Sequence, residues 1–169
     1  VVVLPTLNEL WVKAPLLKGK DWLVVAKCLK FVNPEVFEKF AKGRIVLECC
    51  PENEGSLAYG KLASMIRSSN PKSITVLTVE GSPHCFALQA AVNEALYITK
   101  ARVPHKHYVL VDASDVVEVD PNSIRVARYL HLVDKLVKKN PEILDELSVH
   151  SLEYKVYKEV EEEARDIKA

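Results

Sequence analysis

Three apolar runs in this chain each give way to a turn and then to a helix start, and that repeated order limits the available folds more than any other feature. The runs cover residues 22–28, 44–49 and 73–80. Their apolar centres, 23–26 and 45–47, do not alternate with polar residues. Such runs fit strands covered on both faces rather than strands with one wet side. The helix starts are marked by Asn33-Pro34-Glu35, Ser82-Pro83, Asp120-Pro121 and Asn140-Pro141-Glu142. In each, a capping side chain precedes a proline whose missing N–H is no loss in the first turn.

These signals predict helices over 34–42, 56–69 and 83–99. Gly43 stops the first and Asn70-Pro71 the second. Leu57, Leu62, Met65 and Ile66 form the inward face of the second, and Leu88, Val92, Ala95 and Leu96 that of the third. Residues 1–4 read as a further strand, and Leu7, Leu10, Trp11 and Ala14 share one face of a short helix. Strands alternating with helices make βαβ units, whose right-handed crossovers give parallel neighbours. The expected fold is an α/β three-layer sandwich with a mainly parallel sheet, Rossmann-like or flavodoxin-like in arrangement.

The pattern changes after residue 100. Residues 106–112 and 116–119 read as two strands of a hairpin joined by Asp112-Ala-Ser-Asp115, extending one sheet edge. A helix over 121–139 follows, with Ile124, Ala127, Leu130, Val133 and Val137 aligned. The segment 142–168 is strongly charged, with a thin stripe of Val156, Val160, Ala164 and Ile167. The expected organisation is an α/β domain over 1–140 and a charged helical extension over 141–169. That extension would pack on the domain or on a second subunit of a homo-oligomer.

Charge excludes little but points away from some partners. Lys plus Arg and Asp plus Glu number 23 each, so net charge gives no sign of nucleic acid. A local basic patch remains compatible with that balance. No apolar run approaches the ~20 residues of a membrane span. The start, which soon meets Pro5 and Asn8, lacks the basic flank of a signal peptide. Four cysteines in a chain of 169 residues do not make a disulfide scaffold, and reduced thiols in a cytoplasmic protein are expected.

Those thiols follow the predicted strands: Cys28 after the first, Cys49 and Cys50 after the second, and Cys85 after the third. Parallel neighbouring strands would bring them to one sheet edge, the edge where open α/β sheets bind ligands. Thiolates select zinc or an iron–sulfur cluster over hard cations, with His84 as an added nitrogen donor. No Cys-x-x-Cys spacing supports either cofactor, and buried packing competes with a metal role. Cys85 stands third in a helix capped by Ser82, where the helix terminus and His84 would favour a thiolate nucleophile. Its place at the head of the Leu88 stripe favours packing instead. Glu48 and Glu80 end strands near the thiols and are candidate acid–base groups.

Two loops on the same edge are candidates for ligand binding. Gly81 and Ser82 form a strand-to-helix turn whose amides suit an anion, although Pro83 removes one of them. The second loop, 50–56, carries Glu52, Glu54 and Ser56; its acids suit a cation or amine, or are simply solvated. His105 and His107 share a strand face, which reads as a polar edge strand in the absence of a third metal ligand. Three functions remain in competition: a cysteine-rich metal, iron–sulfur or thiol-redox site, a non-catalytic domain that binds a small ligand or protein partner while its cysteines pack the core, and a small enzyme that uses Cys85 as nucleophile.

Overall fold

The computed structural model of the protein describes residues 6–55 and 58–166. Its centre is a five-stranded sheet in the order β2-β1-β3-β4-β5. The strands are β1 (Asp21–Ala26), β2 (Ile45–Cys49), β3 (Ser73–Val79), β4 (His105–Val111) and β5 (Asp115–Val119). β1 pairs in parallel with β2 and β3, and β3 with β4, while β5 returns antiparallel. The expected α/β sandwich and its edge hairpin are therefore present, in the strand order of a flavodoxin-like sheet. The turn into β5 holds Asp112 and Ala113 at positive φ, as tight hairpins require.

Alternation along the strands sorts the core into two layers. Trp22, Val24, Leu47, Ile74 and Val76 pack with Leu62 and Met65 of α4 (Ala58–Ser69) and with Leu88 and Val92 of α5 (Pro83–Thr99). On the opposite face Leu23, Val25, Val46, Leu77 and Leu110 meet Leu29 of α1 (Leu29–Val32) and Val36, Phe37 and Phe40 of α2 (Pro34–Ala41). The caps behave as the sequence predicts: Asn33 Oδ1 accepts from the Val36 amide at 3.0 Å, and Ser82 Oγ from the Cys85 amide at 3.3 Å.

Three expectations need correction. The segment before β1 holds no α-helix among the described residues, only turns and a 3-10 turn at Pro15–Leu17. Leu7, Leu10, Ala14 and Leu17 are buried there, but Trp11 is 65% exposed. The backbone turns repeatedly, for instance where Ala14 N–H donates to Trp11 O, so helical spacing no longer places Trp11 inward. The helix expected over 121–139 is two, α6 (Pro121–Ala127) and α7 (Leu130–Lys139). Tyr129 leaves helical geometry (φ −110°, ψ 82°) while its N–H donates to Val126 O, and no proline or glycine marks the break. Finally, β4 is not the polar edge inferred from His105 and His107. β5 takes the edge, and His107 is fully buried.

The chain divides into two compact units, 1–125 and 126–169. That second unit contains α7, α8 (Ile143–His150) and α9 (Leu152–Asp166), with Lys158 Nζ 3.6 Å from the Asp145 carboxylate. Residues 1–4, Ser56, Leu57 and Ile167, which carried a strand, a site residue and two apolar positions, lie outside the described residues. Among the described residues no helix is long and apolar enough to cross a membrane.

Candidate ligand site at the strand carboxyl edge

The order of connection reverses between β1 and β3. From β1 the chain moves outward to β2, and from β3 it moves outward the other way to β4 and β5. Loops leaving two such strands diverge and open a crevice outside their carboxyl ends. The loops at this edge are residues 27–29 after β1 and 80–85 after β3, with 50–55 after β2.

Each loop has a local reason for its shape. Cys28 caps α1 through its backbone, its carbonyl accepting from the Phe31 and Val32 amides. Cys50 caps α3 (Pro51–Glu54), and Glu54 folds back so that Oε1 accepts from the Cys50 amide at 3.3 Å. Glu54 Oε2 also accepts from Asn8 Nδ2 at 3.1 Å, and Lys27 Nζ lies 3.9 Å from Oε1. This acid is therefore part of the loop's structure rather than a solvated group. Gly81 carries φ +79°, a conformation that costs a side-chain-bearing residue energy, and lets β3 turn directly into α5. His84 Nδ1 stands 3.6 Å from Glu52 Oε2, both side chains being largely exposed. Glu48 receives Lys30 Nζ at 2.9 Å on both carboxylate oxygens, and Glu80 is an exposed strand end.

The thiols share an edge but not a site. Cys49, the last residue of β2, still obeys strand alternation and points into the core that contains Leu47 and Leu62. Cys85 packs in the other layer with Ala26 and Leu29. Cys28 is exposed and Cys50 half-buried. Burial raises the Cys28 thiol pKa, with the neighbouring Cys85 thiol adding to the effect. Burial likewise pushes Cys49 up to about 12, with Glu54 next among the causes. Both stay protonated near neutral pH, which is unfavourable for nucleophilic or ligating thiolates. Among the described residues no group of three or more His, Cys, Asp or Glu side chains could hold a metal ion. The expected four-cysteine ligand set for zinc or an iron–sulfur cluster is thus not assembled there, because side-chain parity splits Cys49 from Cys85.

Sequence reasoning missed Lys30 and Phe31, both on α1. That helix follows β1 directly and has no capping side chain to announce it. Phe31 is 79% exposed, with Lys30 Nζ 5.4 Å from its ring centroid. Phe86, in the first turn of α5, is also exposed. Ser82 is the clearest local determinant of the third loop. Ser82→Ala should cost about 1 kcal/mol of stability, whereas Ser82→Asn, which keeps a side-chain acceptor, should cost little. Thermal unfolding of the two variants checks this, and equal losses would remove the cap's role.

A family model described as a Rossmann-like domain matches residues 14–165. A curated relative from Archaeoglobus fulgidus, named only as an uncharacterized protein, is 26% identical over 124 residues, covering 70% of this chain and 86% of that one. No solved structure gives a significant match.

Proposed function

The chain belongs to the Rossmann-like domain family, and from that premise we propose that it is a non-catalytic small-ligand-binding domain with its ligand at the β1/β3 crevice. The observation that carries the reading is the reversal of connection between β1 and β3, which is where open α/β sheets take ligands. Exposed Phe31 and Phe86 on the helices that follow these two strands offer apolar surface for a flat ligand. Gly81 and Ser82 leave backbone amides at the start of α5 for a polar group. The raised pKa values of Cys28 and Cys49 disfavour reactive thiolates at both positions.

Thermal unfolding with NADH, FMN and S-adenosylmethionine as separate probes tests the proposal. A probe present at a hundred times its Kd stabilises by about 2.7 kcal/mol, a rise of roughly 5–10 °C for a chain of this size. Cys28→Trp, which fills the crevice from an exposed position, should abolish the rise. No shift with any probe, or a shift that survives this substitution, overturns the reading.

A second role, assembly through the charged tail, is favoured by one feature of α9. Leu152, Val156 and Val160 recur at four-residue spacing and all are exposed. Self-association through this stripe predicts a mass above one chain by light scattering, lost in Val156→Glu/Val160→Glu. A monomeric parent protein would exclude it.

A further inference from the structure

We propose that the opposite end of the sheet carries a second site, an anion cleft for a ligand bearing two or more phosphate groups. The cleft lies between the loops that enter β3 and β4, and its volume is about 490 Å³, within the range of small-ligand pockets. Arg67, Lys72, Lys100 and Arg102 all line it, and no carboxylate does. Among the described residues the only salt bridge to any of the four joins Lys72 to Asp21, at 3.6 Å.

Basic residues at helix C-termini often serve only to offset the helix dipole. Arg67, in the last turn of α4, and Lys100, at the C-cap of α5, fit that description. Lys72 and Arg102 do not, since both stand outside the helices at strand entries. Two helix ends contribute about half a negative charge each. With Asp21 set against Lys72, the cleft still keeps roughly two uncompensated positive charges, enough to favour a multiply charged anion over a single carboxylate.

Backbone hydrogen bonds fix the loops that carry these side chains. Lys100 closes α5 in the left-handed conformation (φ 51°, ψ 32°), its N–H donating to Tyr97 O while Ala101 N–H reaches back to Leu96 O. Glycine is the low-energy residue at such a helix end. The chain carries a lysine there, at the mouth of a cleft already holding two arginines. Lys72 N–H donates to Lys20 O at 2.9 Å and Gly19 N–H to Ser69 O at 2.9 Å, so the β3 entry is tied to the β1 entry.

Calorimetric titration of the full chain with inorganic tripolyphosphate in 50 mM salt tests the site. Binding is expected and should weaken as salt rises. Arg67→Gln and Arg102→Gln should each cost about tenfold or more in affinity, the loss expected for a hydrogen bond to a charged group. Lys39→Gln/Lys61→Gln, which removes two positive charges elsewhere, should leave affinity unchanged. Equal loss in that control, or no heat with tripolyphosphate at millimolar concentration, overturns the cleft. ADP compared with pyrophosphate identifies the source: tighter ADP supports a nucleotide, and equal affinity a free polyphosphate. A single-stranded oligonucleotide that binds and is not displaced by tripolyphosphate counts against the proposal. Retention of tripolyphosphate binding in Cys28→Trp separates this site from the crevice at the carboxyl edge.

Discussion

Trp22→Ala should lower the unfolding free energy by about 3–5 kcal/mol, near the top of the range for a single core truncation. Trp22 lies on β1, the strand flanked by β2 and β3, where its neighbours in register are Ile45 and Ile74. It is fully buried, and its Nε1–H donates to Leu17 O at 3.0 Å. The indole therefore joins the sheet to the 3-10 turn before it. Alanine would leave a cavity that strands paired on both sides cannot close, and would leave the Leu17 carbonyl with only the longer bond from the Lys20 amide, at 3.4 Å. Trp22→Phe retains much of the ring area but loses the donor, so about 1–2 kcal/mol is expected. Urea unfolding measures both: the midpoint should fall while the slope with denaturant stays constant. A change in slope for Trp22→Ala would mean that the variant has lost part of its native structure rather than a contact. Trp11, in the same compact unit and exposed, remains as a fluorescent reporter.

The elements that were legible in the sequence are those fixed by local chemistry. Asn33-Pro34 and Ser82-Pro83 each specify a helix start within three residues, and both caps form as expected. Parallel pairing of β1, β2 and β3 follows from the alternation of elements and the handedness of crossovers. What was not legible depends on parity or on distant neighbours. The edge shared by the cysteines could be foreseen. The direction of Cys49 could not, because one residue more or less in β2 moves its thiol to the other face. α1 escaped notice because Cys28 offers no side-chain cap. The basic cleft was hidden by a net charge of zero and by sequence distance. Arg67 and Lys72 lie some thirty residues from Lys100 and Arg102, and only the pairing of β3 with β4 sets their entry loops side by side.

Acid should destabilise the protein through His107, by about 3 kcal/mol between pH 7 and pH 4. Burial, aided by the neighbouring His105, holds the His107 pKa down to about 4, against 6.5 for a free imidazole. Between those two values the unfolded chain binds a proton that the folded chain refuses. Stability is therefore complete above pH 6.5, falls as the pH drops toward 4, and levels off below it as far as this group is concerned. The hydrogen bonds explain why the ring stays neutral. Gln89 Nε2 donates to Thr78 Oγ1 and to Tyr108 O, both at 2.9 Å, which leaves Gln89 Oε1 to face His107 Nδ1 at 2.6 Å. Nδ1 must then carry the proton, and Nε2 is a bare lone pair with no partner among the described residues. Protonating Nε2 would bury a positive charge with no hydrogen-bond partner among the described residues, a costly outcome. His107→Gln can still donate to Gln89 and cannot titrate. Its stability difference from the parent protein should shrink by about 3 kcal/mol as the pH goes from 7 to 4, since the other acid-sensitive groups are common to both. Urea midpoints at four or five pH values give that double difference. Parallel curves for the two proteins would show that His107 titrates alike in the folded and unfolded states, and the buried neutral ring would have to be abandoned.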